Sequence, residues 1–274
     1  MNFVKMEGCA NDFIVTNDLT EDTIRNISSK ARYICDRRLG IGGDGIIALL
    51  PSSVADLKMR IINADGSEAE MCGNGIRCLA LFAKQMELST KPALRIETGA
   101  GIIGTEFVDD DIKVNMGPPI LEGDKIPVAK AGKPIVEEKI TAGNRTFEIT
   151  AVSMGNPHAV IHVNEITDEL VLDYGRILES HSFFPNKTNV EFISIISDNE
   201  IRMRVFERGV GETMACGTGA CASVVAGILN RKHGNNVLVH LLGGDLRIEW
   251  DGDEKSPVFM TGPARWVFEG SVTV

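Results

Sequence analysis

The sequence predicts an α/β protein built from two halves of the same architecture. Three observations predict it: two similar Cys-Gly-x-Gly segments, matched spacings around them, and strand-like runs that lead into helical patterns. The segments are MCGNG at residues 71–75 and ACGTG at residues 215–219, and each stands directly before a helical pattern. An internal repeat over such a distance indicates two copies of one structural unit.

The repeat holds at an offset of 144 residues, which is the distance from Cys72 to Cys216. An offset one residue longer aligns Asn11 with Asn156, and the strand-like residues 13–15 with residues 158–160. Further matched pairs at 144 are Met59 with Met203, Arg60 with Arg204, Glu68 with Glu212, Gly73 with Gly217, Gly75 with Gly219 and Gly99 with Gly243.

In the first half, residues 56–62 read as a strand that leads through a polar turn to Cys72. Apolar residues at helical spacing over 76–86 then predict an amphipathic helix. A hairpin follows, with a strand at residues 94–98 and a turn at 99–101. A further helix is predicted over residues 21–38.

The second half repeats this order. Residues 201–206 form a predicted strand before Cys216, and residues 217–231 form a helix that is apolar nearly all round and therefore buried. Another helix is predicted over residues 165–180. Gly117, Pro118 and Pro119 cluster between the halves, which gives predicted domains at residues 1–117 and 118–262.

Bulk properties limit the function. The net charge of −10 and the pI of about 5.1 argue against a nucleic-acid partner. Residues 1–7 carry charges where a signal peptide is apolar, and the longest apolar stretch, residues 220–229, is too short to span a bilayer. We therefore expect no membrane association and a cytoplasmic location. In that reducing compartment free thiols are expected in place of disulfides.

Cys72 and Cys216 fall at predicted helix starts, where free N–H groups and the helix dipole stabilise a thiolate and lower the pKa of a cysteine. The neighbouring glycines allow close backbone approach, so the same helix ends suit a bound carboxylate. Two thiols on either side of one stereocentre could remove and return a proton on opposite faces. The spacing does not fit a zinc site, so no metal is expected. The other cysteines are interpreted as buried packing residues: Cys9, Cys35, Cys78 and Cys221.

Four motifs carry a resemblance to a known family: KMEGCANDF at residues 5–13, NADGSEAEMCGNG at 63–75, MGNPH at 154–158 and ERGVGETMACGTG at 207–219. With these the chain resembles the diaminopimelate epimerase family, cofactor-independent enzymes of lysine and peptidoglycan precursor synthesis. The resemblance runs nearly end to end. It implies two pseudo-symmetric halves, each a curled, mostly antiparallel sheet around a central helix, with the active site in the cleft between them. It also implies that a final strand at residues 263–274 completes the first half.

The resemblance implies interconversion of LL- and meso-diaminopimelate, with Cys72 and Cys216 as the acid/base thiols and no cofactor. The reacting carboxylate would lie against Gly73, Asn74, Gly217 and Thr218. Glu207 and Arg208 offer a carboxylate and a guanidinium for the distal amino-acid head. The polar cage would be completed by Asn11, Asn63, Asn156 and Asn189, with His158 as a supporting residue beside a thiol.

The chain departs from the family pattern at two places. Gly45 stands where many members have Gln, so one substrate contact would be missing. Cys9 and Ala10 replace the common Leu-Gly before Asn11. The oligomeric state is left open by the sequence, with a homodimer as one option.

Rival functions stay open on the residues alone: a related racemase without pyridoxal phosphate that acts on another amino acid, a thiol redox protein, or a non-catalytic amino-acid-binding protein. Two dinucleotide-like G-x-G-x-x-G matches, at residues 40–45 and 99–104, are rejected because neither lies between a strand and a helix.

Overall fold

The computed structural model describes residues 1–130, 132 and 134–273. The chain forms two compact units. The first comprises Met1–Asn115 together with Thr261–Val274, and the second comprises Met116–Met260. Val274, the last residue of the expected final strand, lies outside the described residues.

The first unit is a sheet wrapped around one helix. Its elements in chain order are β1 (Asn2–Gly8), β2 (Asn11–Thr16), α1 (Glu21–Ile34), β3 (Gly45–Leu50), β4 (Leu57–Asn63), β5 (Glu68–Ala69), α2 (Gly73–Gln85), β6 (Ala93–Thr98), β7 (Gly101–Val108) and β8 (Asp111–Asn115).

The strands of this unit pair mostly antiparallel: β1 with β2, β3 with β4, β6 with β7, and β7 with β8. Two pairs are parallel, β2 with β3 and β4 with β6. The helix α2 packs against β1, β2, β3, β4 and β8, so the sheet curls around it. Its residues from Gly73 to Ala80 are buried, which makes it the central helix of this unit.

The second unit has the same plan. Its elements are a 3-10 turn (Gly123–Lys125), β9 (Glu138–Ala142), β10 (Arg145–Ser153), β11 (Pro157–His162), a π-helical turn (Glu169–Tyr174), α3 (Gly175–Glu179), β12 (Asn189–Ser197), β13 (Glu200–Glu207), β14 (Gly211–Glu212), α4 (Gly217–Leu229), β15 (Asn236–Leu241) and β16 (Gly244–Glu249). The chain ends with β17 (Phe259–Gly262) and β18 (Arg265–Ser271). Strand β18 belongs to the first unit, where it pairs antiparallel with β1.

Strand pairing repeats in the same sequence of orientations. The pairs β10–β11, β12–β13 and β15–β16 are antiparallel, while β11–β12 and β13–β15 are parallel. Helix α4 packs against β10, β11, β12, β13 and β16 and is buried on nearly every side. The predicted fold class, an α/β protein of two pseudo-symmetric units with a central helix in each, is therefore confirmed.

Two predicted helices have different ends. The first ends at Ile34 instead of residue 38, because the carboxylate of Asp36 accepts hydrogen bonds from the amides of Arg38 and Leu39 and so competes with helical pairing. The helix predicted from residue 165 starts later, where the hydroxyl of Thr167 accepts a hydrogen bond from the amide of Leu170.

Both rejected dinucleotide motifs lie where the sequence placed them. Residues 40–44 are a loop that enters β3, and residues 101–104 belong to β7. Within residues 1–130, 132 and 134–273, the structure contains no helix of the length and hydropathy needed to cross a membrane.

Candidate active site

Cys72 is the N-terminal cap of α2. Its backbone is extended (φ −142°), and the amide of Gly75 donates a hydrogen bond to its Sγ at 3.4 Å. The sulfur thus accepts a hydrogen bond from one of the N–H groups that have no partner within the helix. The thiol lies 3.6 Å from Oδ1 of Asn11, and the side chain of Cys72 is half-buried. The helix start thus presents an accessible sulfur.

Asn11 links this thiol to the rest of the first unit. Its Oδ1 accepts a hydrogen bond from Nδ2 of Asn74 at 3.3 Å, and its Nδ2 donates to Asp44 at 2.7 Å. The Oδ1 of Asn74 is buried and has no hydrogen-bond partner among the described residues. Buried polar atoms in proteins are normally hydrogen-bonded, so this acceptor is an exception.

Asn63, at the end of β4, is not hydrogen-bonded to this group. Its Nδ2 donates to Oγ of Ser67 at 2.9 Å, and its backbone lies opposite Gly45 in the β3–β4 pair. A Cβ on Gly45 would lie 2.7 Å from the carbonyl oxygen of Ile62. The local backbone of this chain therefore leaves no space for a side chain at position 45.

Cys216 is the N-terminal cap of α4, the same place in the second unit. It is more buried than Cys72, with 6% of its surface exposed. Its Sγ lies 3.5 Å from the hydroxyl of Thr218. Gly217, the first helical residue, is buried as well, while Thr218 is half-buried.

The expectation of a lowered thiol pKa is wrong for Cys216. Burial raises the pKa of this thiol well above its ordinary value, and the charges of Glu207 and Glu191 raise it further. Hydrogen bonds with Thr218 and Gly219 act in the opposite direction but do not outweigh these effects. Desolvation and two carboxylates therefore exceed the contribution of the helix end, and the thiol is favoured over the thiolate.

Glu207 lies at the end of β13 and is close enough to Cys216 for each group to affect the pKa of the other. Burial raises the pKa of the Glu207 carboxyl, and a hydrogen bond donated by Thr213 opposes that rise. Glu207 is thus placed to influence the protonation of the Cys216 thiol. This effect on Cys216 is additional to the predicted contact between Glu207 and a substrate ammonium group.

Arg208 and Asn189 are joined through the backbone. The amide of Arg208 donates to Oδ1 of Asn189 at 2.9 Å, and Nδ2 of Asn189 donates to the carbonyl of Pro157. The guanidinium of Arg208 is exposed. Asn189 thus connects the start of β11 with the loop after Glu207, and Arg208 in that loop is exposed.

His158 is buried at the start of β11. Its Nδ1 lies 2.7 Å from Oε1 of Glu191, and its Nε2 lies 3.0 Å from Oδ1 of Asn156. Glu191 was not predicted from the sequence. The signal for it is present: it is the one charged residue of β12, a strand that is buried from Asn189 to Ser194.

Sequence reasoning missed two further residues, Asp44, which holds Asn11, and Thr213, which holds Glu207. The four cysteines interpreted as packing residues are all buried: Cys9, Cys35, Cys78 and Cys221. Burial raises the pKa of Cys35 to about 11 and that of Cys78 further still, so these thiols are unreactive. No cluster of three metal-ligating side chains occurs among the residues that the structure describes.

Solved structures with similar folds identify the class of fold. A phenazine biosynthesis protein of the PhzF family from Bacillus anthracis matches with a TM-score of 0.68 at 19% identity, covering 100% of this chain and 99% of its own. A hydroxyproline epimerase from Agrobacterium vitis, with bound trans-4-hydroxy-L-proline, matches with a TM-score of 0.71 at 15% identity, covering 99% and 90%. The chain therefore has the two-unit fold shared by PhzF-type proteins and amino-acid epimerases.

The sequence comparisons are narrower. The family model for diaminopimelate epimerase matches residues 3–122 and 150–267. Diaminopimelate epimerases from Agathobacter rectalis and Methanococcus maripaludis are 49% and 45% identical to the chain. Each comparison covers 100% of this chain and 100% of the relative. One from Desulforudis audaxviator is 49% identical over 98% of each chain. The chain belongs to the diaminopimelate epimerase family.

Proposed function

We propose that this chain interconverts LL- and meso-diaminopimelate, without a cofactor, by proton transfer between one α-carbon and the thiols of Cys72 and Cys216. The observation that carries the proposal is that each cysteine is the N-terminal cap of the central helix in its own unit. Equivalent acid/base groups suit a reaction that removes a proton on one face and returns one on the other. Membership of the family supports the choice of substrate.

In one direction the Cys72 thiolate takes the α-proton, so the Cα–H bond breaks and an S–H bond forms. The electron pair moves into the substrate carboxylate, where amides at a helix N-terminus stabilise the developing charge. The Cys216 thiol then donates its proton to the opposite face of the carbon and becomes a thiolate. The reverse reaction exchanges these roles. The raised pKa of Cys216 supports its assignment as the protonated partner before substrate binds.

Substrate binding is proposed on the predicted residues. The reacting carboxylate would meet the helix-end groups of Gly73, Asn74, Gly217 and Thr218. The unpaired Oδ1 of Asn74 is an acceptor and suits the adjacent ammonium group. The distal head would meet the exposed guanidinium of Arg208 and the carboxylate of Glu207, with the side chains of Asn11, Asn63, Asn156 and Asn189 around it.

The test follows LL-diaminopimelate in D₂O by NMR, with reduced protein and no added cofactor. Deuterium uptake at one α-carbon together with meso product is the expected result. Wild-type protein with both thiols reduced that leaves the α-proton in place would refute the assignment. Parallel reactions with proline and glutamate separate this function from that of a racemase for another amino acid. Calorimetric binding without exchange would favour a binding protein.

We also propose that the protein acts in the cytoplasm, and the homodimer that the sequence leaves as one option is the assembly to be tested. The mass of the reduced protein, measured by size-exclusion chromatography with light scattering, tests the assembly. A monomer at micromolar concentration would overturn it.

A further inference from the structure

The strand β12 carries a charge in an unusual place. Glu191 is fully buried, between the buried residues Val190 and Phe192. An isolated carboxylate in such surroundings is costly unless it is paired and hydrogen-bonded. Glu191 has one such partner, the imidazole of His158, at 2.7 Å from its Oε1.

The ring of His158 is bound on both sides. Nδ1 faces Glu191 and Nε2 faces Oδ1 of Asn156 at 3.0 Å. The geometry therefore suits a buried pair in which the Glu191 carboxylate holds the ring through Nδ1, and the ring in turn lies against the side-chain amide of Asn156.

This pair lies under the first turn of α4. A Cβ on Gly219 would lie 2.7 Å from Oε1 of Glu191 and 3.3 Å from Sγ of Cys216. The absent side chain of Gly219 thus makes room for the Glu191 carboxylate, close to the cysteine. From the sequence alone, the glycines after each cysteine are predicted to allow close approach of a ligand, whereas at Gly219 the neighbouring group is a side chain of the protein.

The first unit solves the same packing problem without charge. Phe13 pairs with Gly45 across parallel strands as His158 pairs with Asn189, so Phe13 is the counterpart of His158. A Cβ on Gly75 would lie 2.9 Å from Ile47 and 3.6 Å from Phe13. Ile47, which lies 144 residues before Glu191, is its counterpart. Apolar side chains therefore suffice at these two positions beneath the first turn of a central helix.

The polar pair of the second unit, Glu191 and His158, costs more folding free energy than the apolar pair of the first unit. The second oxygen of the carboxylate, Oε2 of Glu191, is buried and has no partner within the part of the chain that the structure describes. A buried carboxylate with one hydrogen-bonded partner is costly in comparison with well-packed apolar residues. A group that is costly and structurally replaceable, beside a thiol, indicates a role in the reaction.

We propose that Glu191 is a positioning residue for the second unit: through His158 it fixes the side chain of Asn156 directly before β11, and it places a charge beside the start of α4 where the counterpart residue of the first unit, Ile47, is apolar. The inference rests on the proposed function. Four ionisable groups face one another here, Glu191 on β12, His158 on β11, Glu207 on β13 and Cys216 at α4. The negative charge of Glu191 is one of the causes that raise the pKa of Cys216.

Three variants separate charge from hydrogen bonding. Glu191→Gln keeps an acceptor for His158 but removes the charge. Glu191→Ile removes both, and the double variant His158→Phe with Glu191→Ile installs the apolar pair of the first unit. The matched control is Glu200→Gln, because Glu200 and His240 form a His–Glu pair of the same 2.7 Å length that is partly exposed.

We expect Glu191→Ile and the double variant to stay folded and to lose about tenfold or more in kcat. KM should change less, because Glu207, Arg208 and Asn189 keep their proposed contacts with the distal head and only Asn156 loses its support. In Glu191→Gln a smaller loss of kcat is expected, and the pH limb of kcat/KM that belongs to Cys216 should move to lower pH. The Glu200→Gln control should match wild type. A folded double variant with wild-type kcat and pH limbs would overturn the proposal.

An activity-independent readout keeps the two proposals apart. In wild type, the Nδ1–H proton of His158 should give a slowly exchanging, far-downfield NMR signal, which disappears in Glu191→Ile and persists in Glu200→Gln. If the wild type does not epimerise the substrate but this signal behaves as described, the proposed function fails and the positioning of His158 stands. Absence of the signal in wild type contradicts the positioning itself.

Discussion

Arg204 and Glu212 form a two-point ion pair, with Nε to Oε1 at 2.6 Å and Nη2 to Oε2 at 3.1 Å. Arg60 and Glu68, which lie 144 residues earlier, form the same bidentate pair. In both units the pair joins a long strand to the short strand that precedes the cysteine at the helix start, β13 to β14 before Cys216 and β4 to β5 before Cys72. The internal repeat thus preserves an interaction as well as the glycines.

The two ion pairs should differ in their contribution to stability. Arg204 and Glu212 are 15% and 20% exposed, whereas Arg60 and Glu68 are 26% and 44% exposed. Because water screens the more exposed pair, Arg204→Ala should cost about 1–2 kcal/mol and Arg60→Ala about 0.5–1 kcal/mol. Urea unfolding followed by circular dichroism measures both. A loss of unfolding free energy in Arg60→Ala that equals or exceeds the loss in Arg204→Ala would contradict the predicted order.

Replacement of either candidate catalytic thiol should abolish epimerisation. We expect Cys72→Ala and Cys216→Ala each to lose a factor of about 10² or more in kcat, since one acid/base group is missing. Cys78→Ala and Cys221→Ala are the matched controls, because each removes a buried thiol from the same two helices. These controls should lose stability but keep kcat. A control that is as inactive as the Cys72 and Cys216 variants would indicate a packing effect.

Glu207→Gln should alter the pH profile. A carboxylate beside a thiol disfavours the thiolate, and Glu207 contributes to the raised pKa of Cys216. Without that charge the thiol loses its proton more easily, so the limb of kcat/KM that belongs to Cys216 should move to lower pH. The exposed Glu148→Gln serves as control and should leave the profile unchanged. A shift to higher pH would show that Glu207 does not act on this thiol through its charge.

The turn between β1 and β2 predicts a stabilising substitution. Its two residues, Cys9 and Ala10, have φ values of 55° and 63°, and it connects directly to Asn11. Non-glycine residues are strained in this left-handed region, so Ala10→Gly should stabilise the protein by about 0.5–1 kcal/mol. Ala100→Gly is the control, because Ala100 lies in another two-residue turn without a positive φ. That change should not raise the melting temperature.

Stability should fall on acidification because of His162. Burial lowers the pKa of this imidazole from 6.5 to about 4. The unfolded chain therefore binds the proton first, so the stability present above pH 6.5 is lost as the pH falls toward 4. The loss at pH 5 is about 1–2 kcal/mol.

Urea unfolding at pH 7.5 and pH 5 tests this effect with His162→Gln, which should flatten the pH dependence. His240 provides the opposite sign, because hydrogen bonding to Glu200 raises its pKa. Its contribution is present below the unfolded pKa and is lost as the pH rises through the folded one. His240→Gln should therefore make the loss on acidification steeper. An unchanged slope in His162→Gln would contradict the burial of that ring.

The sequence by itself determined the two-unit plan and the helix starts at Cys72 and Cys216. Hydrophobic periodicity and the glycines after each cysteine are local features that are encoded within a few turns of chain, and the repeat of constant offset is found by comparing the sequence with itself. They were sufficient for the fold class, for the buried helix α4 and for the family.

Only the tertiary structure decided the electrostatics of the second unit. His158 and Glu191 lie 33 residues apart and meet because β11 and β12 pair in parallel, and Glu207 reaches Cys216 only because β13 ends beside α4. The free energy of a buried charge depends on its surroundings in space, which sequence spacing does not contain. For that reason the shift of the thiol pKa that the helix start alone predicts has the wrong direction at Cys216.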